Sequence, residues 1–313
     1  MVEEAIRREY QVIALTRTFA KAKELQNWGA QVVPIDLSNP KELEDLLKRT
    51  QPDYFIHNAG VTKLTKQTKE DYVQGNVQLT KDVIDAIQKV IPQLKKFIFT
   101  SSLEAGGPGD AKTLKPKKID EPRPPVTEYG KSKLLAEKII QQQDEIPYII
   151  FRPTAVYGPG DRGLANYFRL VKAHFQPYFI SDRQLLSFIY VKDLAALYLD
   201  ALETPIKNKI YYVSDGQVYT AKEFGDWVKT ILGVSTMRLV FPKALLKIIS
   251  GSSELLAHSF GIPNFFSKER FRQISEPNWS CDISETINDF NFAPAYDLES
   301  GLRETLDEYR HKV

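Results

Sequence analysis

Tyr129 and Lys133 are the two side chains whose types and spacing most clearly suggest chemistry. They stand four residues apart in a stretch, Thr127–Gln141, whose pattern predicts a helix, so both side chains leave the same face one turn apart. A neighbouring ammonium lowers the pKa of a tyrosine towards the range useful for proton transfer, and the lysine can also hold a ribose hydroxyl. Taken alone, the spacing is weak evidence. With 15 tyrosines in the chain, about one such pair arises by chance, and a solvated helix face is the simpler interpretation.

Other polar or small residues follow predicted strands. Ser102 follows one strand, and its hydroxyl can hold a carbonyl or alcohol oxygen against Tyr129. The run Asn58-Ala59-Gly60 follows another, and its glycine lets the backbone approach a ligand closely. Asp36 closes a third strand. Each is an ordinary cap or loop residue by itself, but the carboxyl ends of parallel strands share one edge of a sheet, so we expect these residues to meet there.

The first half of the chain alternates short apolar runs with longer helical patterns. Runs rich in β-branched residues predict strands, and periodic stretches between them predict helices. The predicted strands are Gln11–Leu15, Gln31–Ile35, Asp53–His57, Lys96–Thr100 and Tyr148–Phe151, and the predicted helices are Lys21–Trp28, Lys41–Lys48, Lys69–Val90 and Thr127–Gln141. This alternation favours right-handed βαβ units, so the sequence predicts an α/β fold with a doubly wound parallel sheet.

After Arg152 the alternation becomes looser. The predicted elements there are the strands Ser187–Val191 and Ile210–Val213 and the helices Lys222–Leu232, Pro242–Phe260 and Asp297–Tyr309. We interpret residues 153–313 as a smaller, mixed substrate-binding cap, with segments that return to the core formed by residues 1–152. Such a cap would lie over the strand ends, where open α/β sheets bind their ligands.

Composition and charge exclude several classes of protein. Hydrophobic residues make up 42% of the chain and charged residues 26%, which is typical of a globular protein. The 42 basic and 40 acidic residues leave none of the basic surplus of a nucleic-acid binder. The single cysteine and four histidines show no disulfide or metal-ligand spacing, and no apolar run reaches the roughly 18–20 residues that span a bilayer. We therefore expect a cytoplasmic protein without a metal, a nucleic-acid partner or a membrane segment.

Five short motifs follow one another along the chain. They are Asp36-Leu37, Asn58-Ala59-Gly60, Thr100-Ser101-Ser102, Tyr129-Gly130-Lys131-Ser132-Lys133 and Arg152-Pro153-Thr154-Ala155-Val156-Tyr157-Gly158-Pro159. In this order and at this spacing they resemble the extended short-chain dehydrogenase/reductases, the NAD-dependent epimerase/dehydratase group. The resemblance covers nearly the whole chain, and five ordered motifs make it specific where any one of them would not.

The resemblance implies a Rossmann-like dinucleotide-binding domain in residues 1–152 and an enzyme that moves hydride between nicotinamide and a substrate. Ser102, Tyr129 and Lys133 would form its catalytic triad. The residues implied at the cofactor are Asp36 and Leu37 at the adenine, Asn58, Ala59 and Gly60 along the cofactor, Asn76 on the nicotinamide side, Tyr129 and Lys133 themselves, and Pro153 and Val156 near the nicotinamide ring. The implied substrate is a nucleotide sugar or a small carbonyl or alcohol compound. A homodimer through helices 69–90 and 127–141 would follow the family's habit.

Arg17 bears on the choice of cofactor. It follows the first predicted strand, where this fold contacts the adenosine ribose. An acidic residue there binds the ribose 2′-hydroxyl, whereas an arginine suits a 2′-phosphate. Residues 14–18 contain no Asp or Glu, so the sequence favours NADP over NAD. The alternative is a surface arginine that happens to follow a strand.

The start of the chain departs from the family pattern. Apolar residues at helical spacing open the sequence, and its first fifty positions contain no Gly-x-x-Gly-x-x-Gly turn for the pyrophosphate. We expect roughly 20 residues upstream of Met1 to supply that turn and a central strand between two others. Two interpretations besides an active enzyme stay open: a dinucleotide-binding regulator and an inactive truncated product. The intact Ser, Tyr and Lys set argues against the regulator, since a sensor needs no proton relay.

Overall fold

Apolar runs form strands and periodic stretches form helices through the first half of the chain, as the sequence predicts. The structure is a computed structural model that describes residues 1–17, 22–62, 67–121, 123–161, 163–247 and 268–311. In chain order, the first elements are α1 (Val2–Arg7), β1 (Ile13–Thr16), α2 (Ala22–Asn27), β2 (Gln31–Pro34), α3 (Pro40–Thr50), β3 (Tyr54–His57), α4 (Lys69–Tyr72), α5 (Leu79–Val90), β4 (Lys96–Thr100), α6 (Glu128–Gln141) and β5 (Tyr148–Pro153). A π-helical segment, Val73–Gln78, joins α4 to α5, and a short 3-10 turn, Leu103–Gly106, follows β4.

The second half contains shorter strands and more irregular connections. Its elements are β6 (Ala155–Tyr157), α7 (Ala165–Lys172), β7 (Phe175–Phe179), β8 (Leu185–Leu186), β9 (Phe188–Tyr190), α8 (Val191–Glu203), β10 (Lys209–Val213), β11 (Tyr219–Thr220), α9 (Ala221–Leu232), β12 (Met237–Phe241), α10 (Lys268–Ser275), β13 (Asn278–Trp279), α11 (Ser284–Phe290) and α12 (Leu298–His311). Of the predicted helix Pro242–Phe260, residues 243–247 are helical and residues 248–260 lie outside the described residues. Helix α7 and strands β7 and β12 were not predicted from the sequence.

The main sheet is parallel and is covered on both faces. Its strand order is β10-β5-β4-β3, and its central residues Phe97, Ile98 and Phe99 are fully buried. One face packs against apolar side chains of α3, α5 and α6, and the other packs against α1 and α8. The prediction of an α/β, doubly wound parallel sheet is therefore confirmed.

Strands β1 and β2 form a separate parallel pair. Among the described strands, β1 pairs only with β2 and β3 pairs only with β4, so each has one edge without a strand partner. Helix α1 packs against α8, where Arg8 forms an ion pair with Asp200 at 2.5 Å.

The C-terminal half builds a third hydrophobic cluster. Leu298, Leu302 and Leu306 lie one turn apart on α12 and are fully buried. They pack in a cluster that includes Phe188 and Phe224, whose rings stack with centroids 5.0 Å apart. Because α8 and β10 pack into the main sheet, this half also contributes to the core. The division at residue 152 stays a prediction.

Candidate active site

Two local features bring Tyr129, Lys133 and Ser102 towards one edge of the main sheet. Ser102 follows the carboxyl end of β4. Thr127 caps α6, and its Oγ1 accepts the Gly130 N–H at 3.0 Å, so the helix begins just before Tyr129. An N-cap of this kind satisfies one of the free amides of the first turn. Tyr129 and Lys133 therefore leave the first two turns of α6 on the same side.

The structure brings the three predicted catalytic residues together. The Ser102 side chain lies beside the Tyr129 phenol and lowers its pKa. The Lys133 Nζ donates to the Thr100 carbonyl at 2.8 Å and lies 4.8 Å from the centre of the Phe99 ring. The phenol, the hydroxyl and the ammonium are thus arranged around the last residues of β4.

The electrostatics of the pair differ from the expectation that Lys133 lowers the pKa of Tyr129. Burial raises the pKa of Tyr129 above its ordinary value and the Glu104 carboxylate raises it further, while the Ser102 side chain lowers it. Burial lowers the pKa of Lys133 to about 8, against an opposing effect of Glu137. The expectation of a lowered tyrosine pKa is therefore wrong for this structure, because desolvation of the phenolate is the largest influence on the group.

Gly60 and Asn76 form a close-packed corner beside Lys133. A Cβ at Gly60 would lie 2.6 Å from Asn76 Oδ1 and 3.4 Å from Lys133 Nζ, so only glycine fits. Asn76 is buried within the π-helical segment, where its Oδ1 accepts the Val61 N–H at 2.7 Å and its Nδ2 donates to Ser132 Oγ at 2.9 Å. Asn76 therefore ties the loop after β3 to helix α6.

The remaining residues predicted on this side follow neighbouring strands of the main sheet. Asn58 and Ala59 follow β3, and the Asn58 Oδ1 accepts a hydrogen bond from Thr100 Oγ1. Pro153 is the buried last residue of β5, and Val156 lies in β6 with 37% of its surface exposed. The strand order places Asn58, Ala59 and Pro153 along the same edge of the main sheet as Ser102, whereas Val156 belongs to the separate β6–β9 pair.

Arg17, Asp36 and Leu37 lie apart from the triad, at the ends of β1 and β2. The Asp36 carboxylate accepts the Ser38 N–H at 2.9 Å and the Ser38 hydroxyl at 2.8 Å. These bonds lower the pKa of Asp36, and the nearby Arg17 lowers it further. Arg17 and Asp36 therefore share one exposed rim on the separate strand pair.

A buried ion pair behind Lys133 was not predicted from the sequence. Arg152 donates from Nε and Nη2 to the two oxygens of Glu137, at 2.9 and 2.7 Å, and Glu137 is completely buried. The Ser101 hydroxyl donates to the same carboxylate. The available signal was the spacing, because Glu137 stands one helical turn after Lys133.

His57 lies in the core, as predicted, and not on the catalytic edge. It is 1% exposed, and its Nε2 is 3.2 Å from Thr80 Oγ1. Burial, with a smaller effect of Lys133, lowers the pKa of His57 to about 3, so the ring is neutral at physiological pH. Among the described residues, no group of three or more His, Cys, Asp or Glu side chains is arranged to hold a metal. No helix in the described part of the chain is long and apolar enough to cross a membrane.

The sequence of the chain matches a known protein family. The model of the NAD dependent epimerase/dehydratase family matches residues 1–214. The chain belongs to this family. It is therefore a member of an enzyme family and has the Rossmann fold, as its main sheet and the residues at the strand ends indicate.

Individual relatives differ widely in what they act on. The chain is 27% identical to UDP-glucose 4-epimerase of Vibrio cholerae over 247 residues, covering 77% of this chain and 69% of the relative. It is 24% identical to ceramide reductase of Caulobacter vibrioides, covering 90% of this chain and 80% of that protein. The structure of UDP-glucuronic acid 4-epimerase from Bacillus cereus, in complex with UDP-glucuronic acid and NAD, matches with a TM-score of 0.78 and 19% identity, over 100% of this chain and 95% of that chain. This last likeness shows the shared fold.

Proposed function

We propose that this chain is an NAD(P)-dependent oxidoreductase-type enzyme in which Tyr129, Lys133 and Ser102 carry the proton transfer. The observation that carries the proposal is the grouping of three side chains at the end of β4: Ser102 lies beside the Tyr129 phenol, and the Lys133 Nζ donates to the Thr100 carbonyl at 2.8 Å. A dinucleotide-binding regulator would not need this arrangement, which favours an enzyme.

The residues present fit the two ends of a nicotinamide dinucleotide. At one end, Gly60 lets Asn76 and Lys133 pack closely against the backbone after β3, which keeps the Lys133 ammonium at the carboxyl edge of the sheet. At the other end, Arg17 and Asp36 offer a cation and an acceptor on one rim. The bound cofactor would supply hydride chemistry, accepting a hydride from a substrate carbon or returning one to it.

Each member of the triad then has a distinct role. Ser102 holds the substrate oxygen by a hydrogen bond. In the oxidation direction Tyr129, as phenolate, accepts the proton of the substrate hydroxyl, and in reduction the phenol returns it. Lys133 would bind the nicotinamide ribose, and an ammonium beside the phenol favours the phenolate.

We propose a nucleotide sugar as the substrate, with a small carbonyl or alcohol compound as the alternative. The support is that the Vibrio relative is a UDP-glucose epimerase and the Bacillus structure contains UDP-glucuronic acid. The Caulobacter relative is a ceramide reductase, which keeps simple carbonyl reduction as the alternative.

We further propose that the cofactor is NADP in preference to NAD, because Arg17 can pair with a 2′-phosphate at the rim of β1. A homodimer through the Lys69–Val90 and α6 helices, a division into residues 1–152 and 153–313, and a cytoplasmic location stay predictions.

The experiment that tests the proposal measures cofactor binding and turnover separately. NADPH and NADH fluorescence titrations establish binding, and a panel of UDP-sugars, aldehydes and ketones is then assayed for turnover. Tyr129→Phe should lower turnover by about 10²–10⁴-fold while leaving cofactor affinity unchanged, since only the acid/base group is lost.

The matched control is Tyr54→Phe, which removes a phenolic oxygen from the amino end of β3, the opposite edge of the sheet. It should leave turnover unchanged. Turnover by Tyr129→Phe within about threefold of wild type would end the triad assignment. Absence of binding to either nucleotide would reject the dinucleotide proposal.

A further inference from the structure

Helix α10 reaches the catalytic tyrosine although 139 residues separate Tyr129 from Lys268, where the helix begins. The Glu269 Oε1 accepts the backbone N–H of Tyr129 at 2.9 Å. One turn further along α10, the Gln273 Nε2 donates to Glu104 Oε1 at 3.0 Å. The first of these contacts occupies an amide that the first turn of a helix cannot satisfy internally.

Glu104 joins α10 to the start of α6. Its second oxygen, Oε2, accepts the Thr127 hydroxyl at 2.7 Å, and Thr127 in turn caps α6 through Gly130. The carboxylate is therefore shared between the cap of the helix that carries Tyr129 and a side chain of α10. Only 7% of Glu104 is exposed, so solvent does not compete strongly for these bonds.

The backbone of Glu104 is fixed to the third member of the triad. Its N–H donates to Ser102 Oγ at 3.2 Å. A Cβ at Gly130 would lie 2.6 Å from the Glu104 carbonyl oxygen, so the turn after β4 and the first turn of α6 are in close backbone contact. One residue thus contacts the Ser102 hydroxyl, the α6 cap and α10.

We propose that Glu104 is a positioning residue: it holds the Tyr129 phenol against Ser102, and it makes that position and the ionisation of the phenol depend on the docking of α10. The proposal rests on the proposed function for its catalytic meaning. The hydrogen bonds from Gln273 and Thr127 fix both carboxylate oxygens of Glu104 between α10 and the start of α6, so in this proposal Glu104 acts through Tyr129.

Several titratable groups surround this carboxylate. Its negative charge disfavours the Tyr129 phenolate, and it also raises the pKa of Tyr72, whose ring centre lies 5.9 Å from that of Tyr129. The titratable and charged groups that face Glu104 or Tyr129 are Tyr72 on α4, Tyr198 on α8, and Glu269 and Arg270 on α10. A probe placed at position 129 alone separates its ionisation from theirs.

The test uses the whole chain and needs neither cofactor nor substrate, so its failure is distinct from failure of the proposed function. Tyr129→3-fluorotyrosine provides a fluorine NMR signal whose alkaline titration reports the ionisation of that phenol. Removing the charge with Glu104→Gln, which keeps the size of the side chain, should raise the phenolate-to-phenol ratio at a given pH by about tenfold. The control is Glu121→Gln, which changes an exposed acid in the same connection between β4 and α6. It should leave the titration of the fluorotyrosine unchanged.

A second measurement follows the amide of Tyr129 by hydrogen exchange. Gln273→Ala removes the side-chain contact between α10 and Glu104 but keeps the Glu104 charge. It should speed hydrogen exchange in α10 and at the Tyr129 amide by about tenfold. Faster exchange in α10 alone would show that the helix is anchored there without affecting Tyr129, and would overturn the coupling. An unchanged fluorine titration in Glu104→Gln would overturn the electrostatic part. Both variants keep the core intact, and thermal melts confirm that each is folded.

Discussion

The main sheet and the β1–β2 pair carry the two halves of the proposed site, but the two regions differ greatly in how deeply their strands are buried. Strands β4 and β5 are buried along almost their whole length, whereas β2 has no buried residue and β1 has one. The proposed catalytic residues Tyr129, Lys133 and Ser102 belong to the buried part, and Arg17 and Asp36 belong to the other. Local stability follows buried contacts, so we expect the buried part to be organised before any ligand binds, whereas the exposed rim with Arg17 and Asp36 should gain most from ligand contacts.

The largest expected effect comes from breaking the ion pair that anchors the catalytic half. Glu137→Ala would leave Arg152 buried without a partner, and we expect the free energy of unfolding to fall by about 3–5 kcal/mol. Urea titrations followed by circular dichroism measure it. The matched control is Asp53→Ala, because Asp53 pairs with Lys95 at 2.9 Å on the surface, where both side chains are 63% exposed. Exposed pairs of this kind contribute about 0–1 kcal/mol.

A double variant distinguishes the loss of a pair from the loss of a packed side chain. Glu137→Met with Arg152→Met replaces both charges by apolar groups of similar volume, and this should restore most of the lost stability. If the double variant is as unstable as Glu137→Ala, unpaired charge is not the cause and the contrast between the two regions loses its main support.

The sequence predicted the strands and the triad because both depend on local patterns. Apolar runs mark β3, β4 and β5, and the four-residue spacing of Tyr129 and Lys133 requires only a helix. The sequence did not predict that Gln273 meets Glu104, since 169 residues separate them and no periodicity connects them. It also gave the wrong direction for the pKa of Tyr129, because the balance between burial and a nearby cation depends on the packing around the phenol.

On the β1–β2 side, a substitution should change cofactor preference without changing stability. Arg17→Asp should shift preference from NADPH towards NADH by about 1.5–3 kcal/mol, through loss of a charge-assisted contact to the 2′-phosphate. Parallel fluorescence titrations with the two nucleotides measure the shift. The melting temperature should stay the same, because Arg17 is exposed.

The control for that shift is Arg303→Asp, the same change of charge on the exposed surface of α12, where Arg303 pairs with Glu299 at 2.6 Å. It should not alter the ratio of affinities. A wild-type chain that already prefers NADH would show that Arg17 does not recognise a 2′-phosphate.

The smallest expected effect, at most about 1.4 kcal/mol between pH 6.5 and pH 5.5, is a pH dependence that originates in the main sheet at His57. The pKa of this buried ring is about 3 in the folded chain and about 6.5 when unfolded, so below pH 6.5 the unfolded state binds the additional proton. Stability from this group is therefore complete above pH 6.5 and falls as the pH drops towards 3, by at most about 1.4 kcal/mol per pH unit. Asp215 acts in the opposite direction, because burial raises its pKa to about 6 and the folded chain binds its proton first.

Comparing urea unfolding of wild type and His57→Gln across this range isolates the histidine, since Asp215 contributes equally to both. We expect the variant to be less stable at neutral pH and to lose stability more slowly on acidification. Parallel curves for the two proteins would mean that His57 is not held neutral in the core, and the pH sensitivity of the main sheet would have to come from another group.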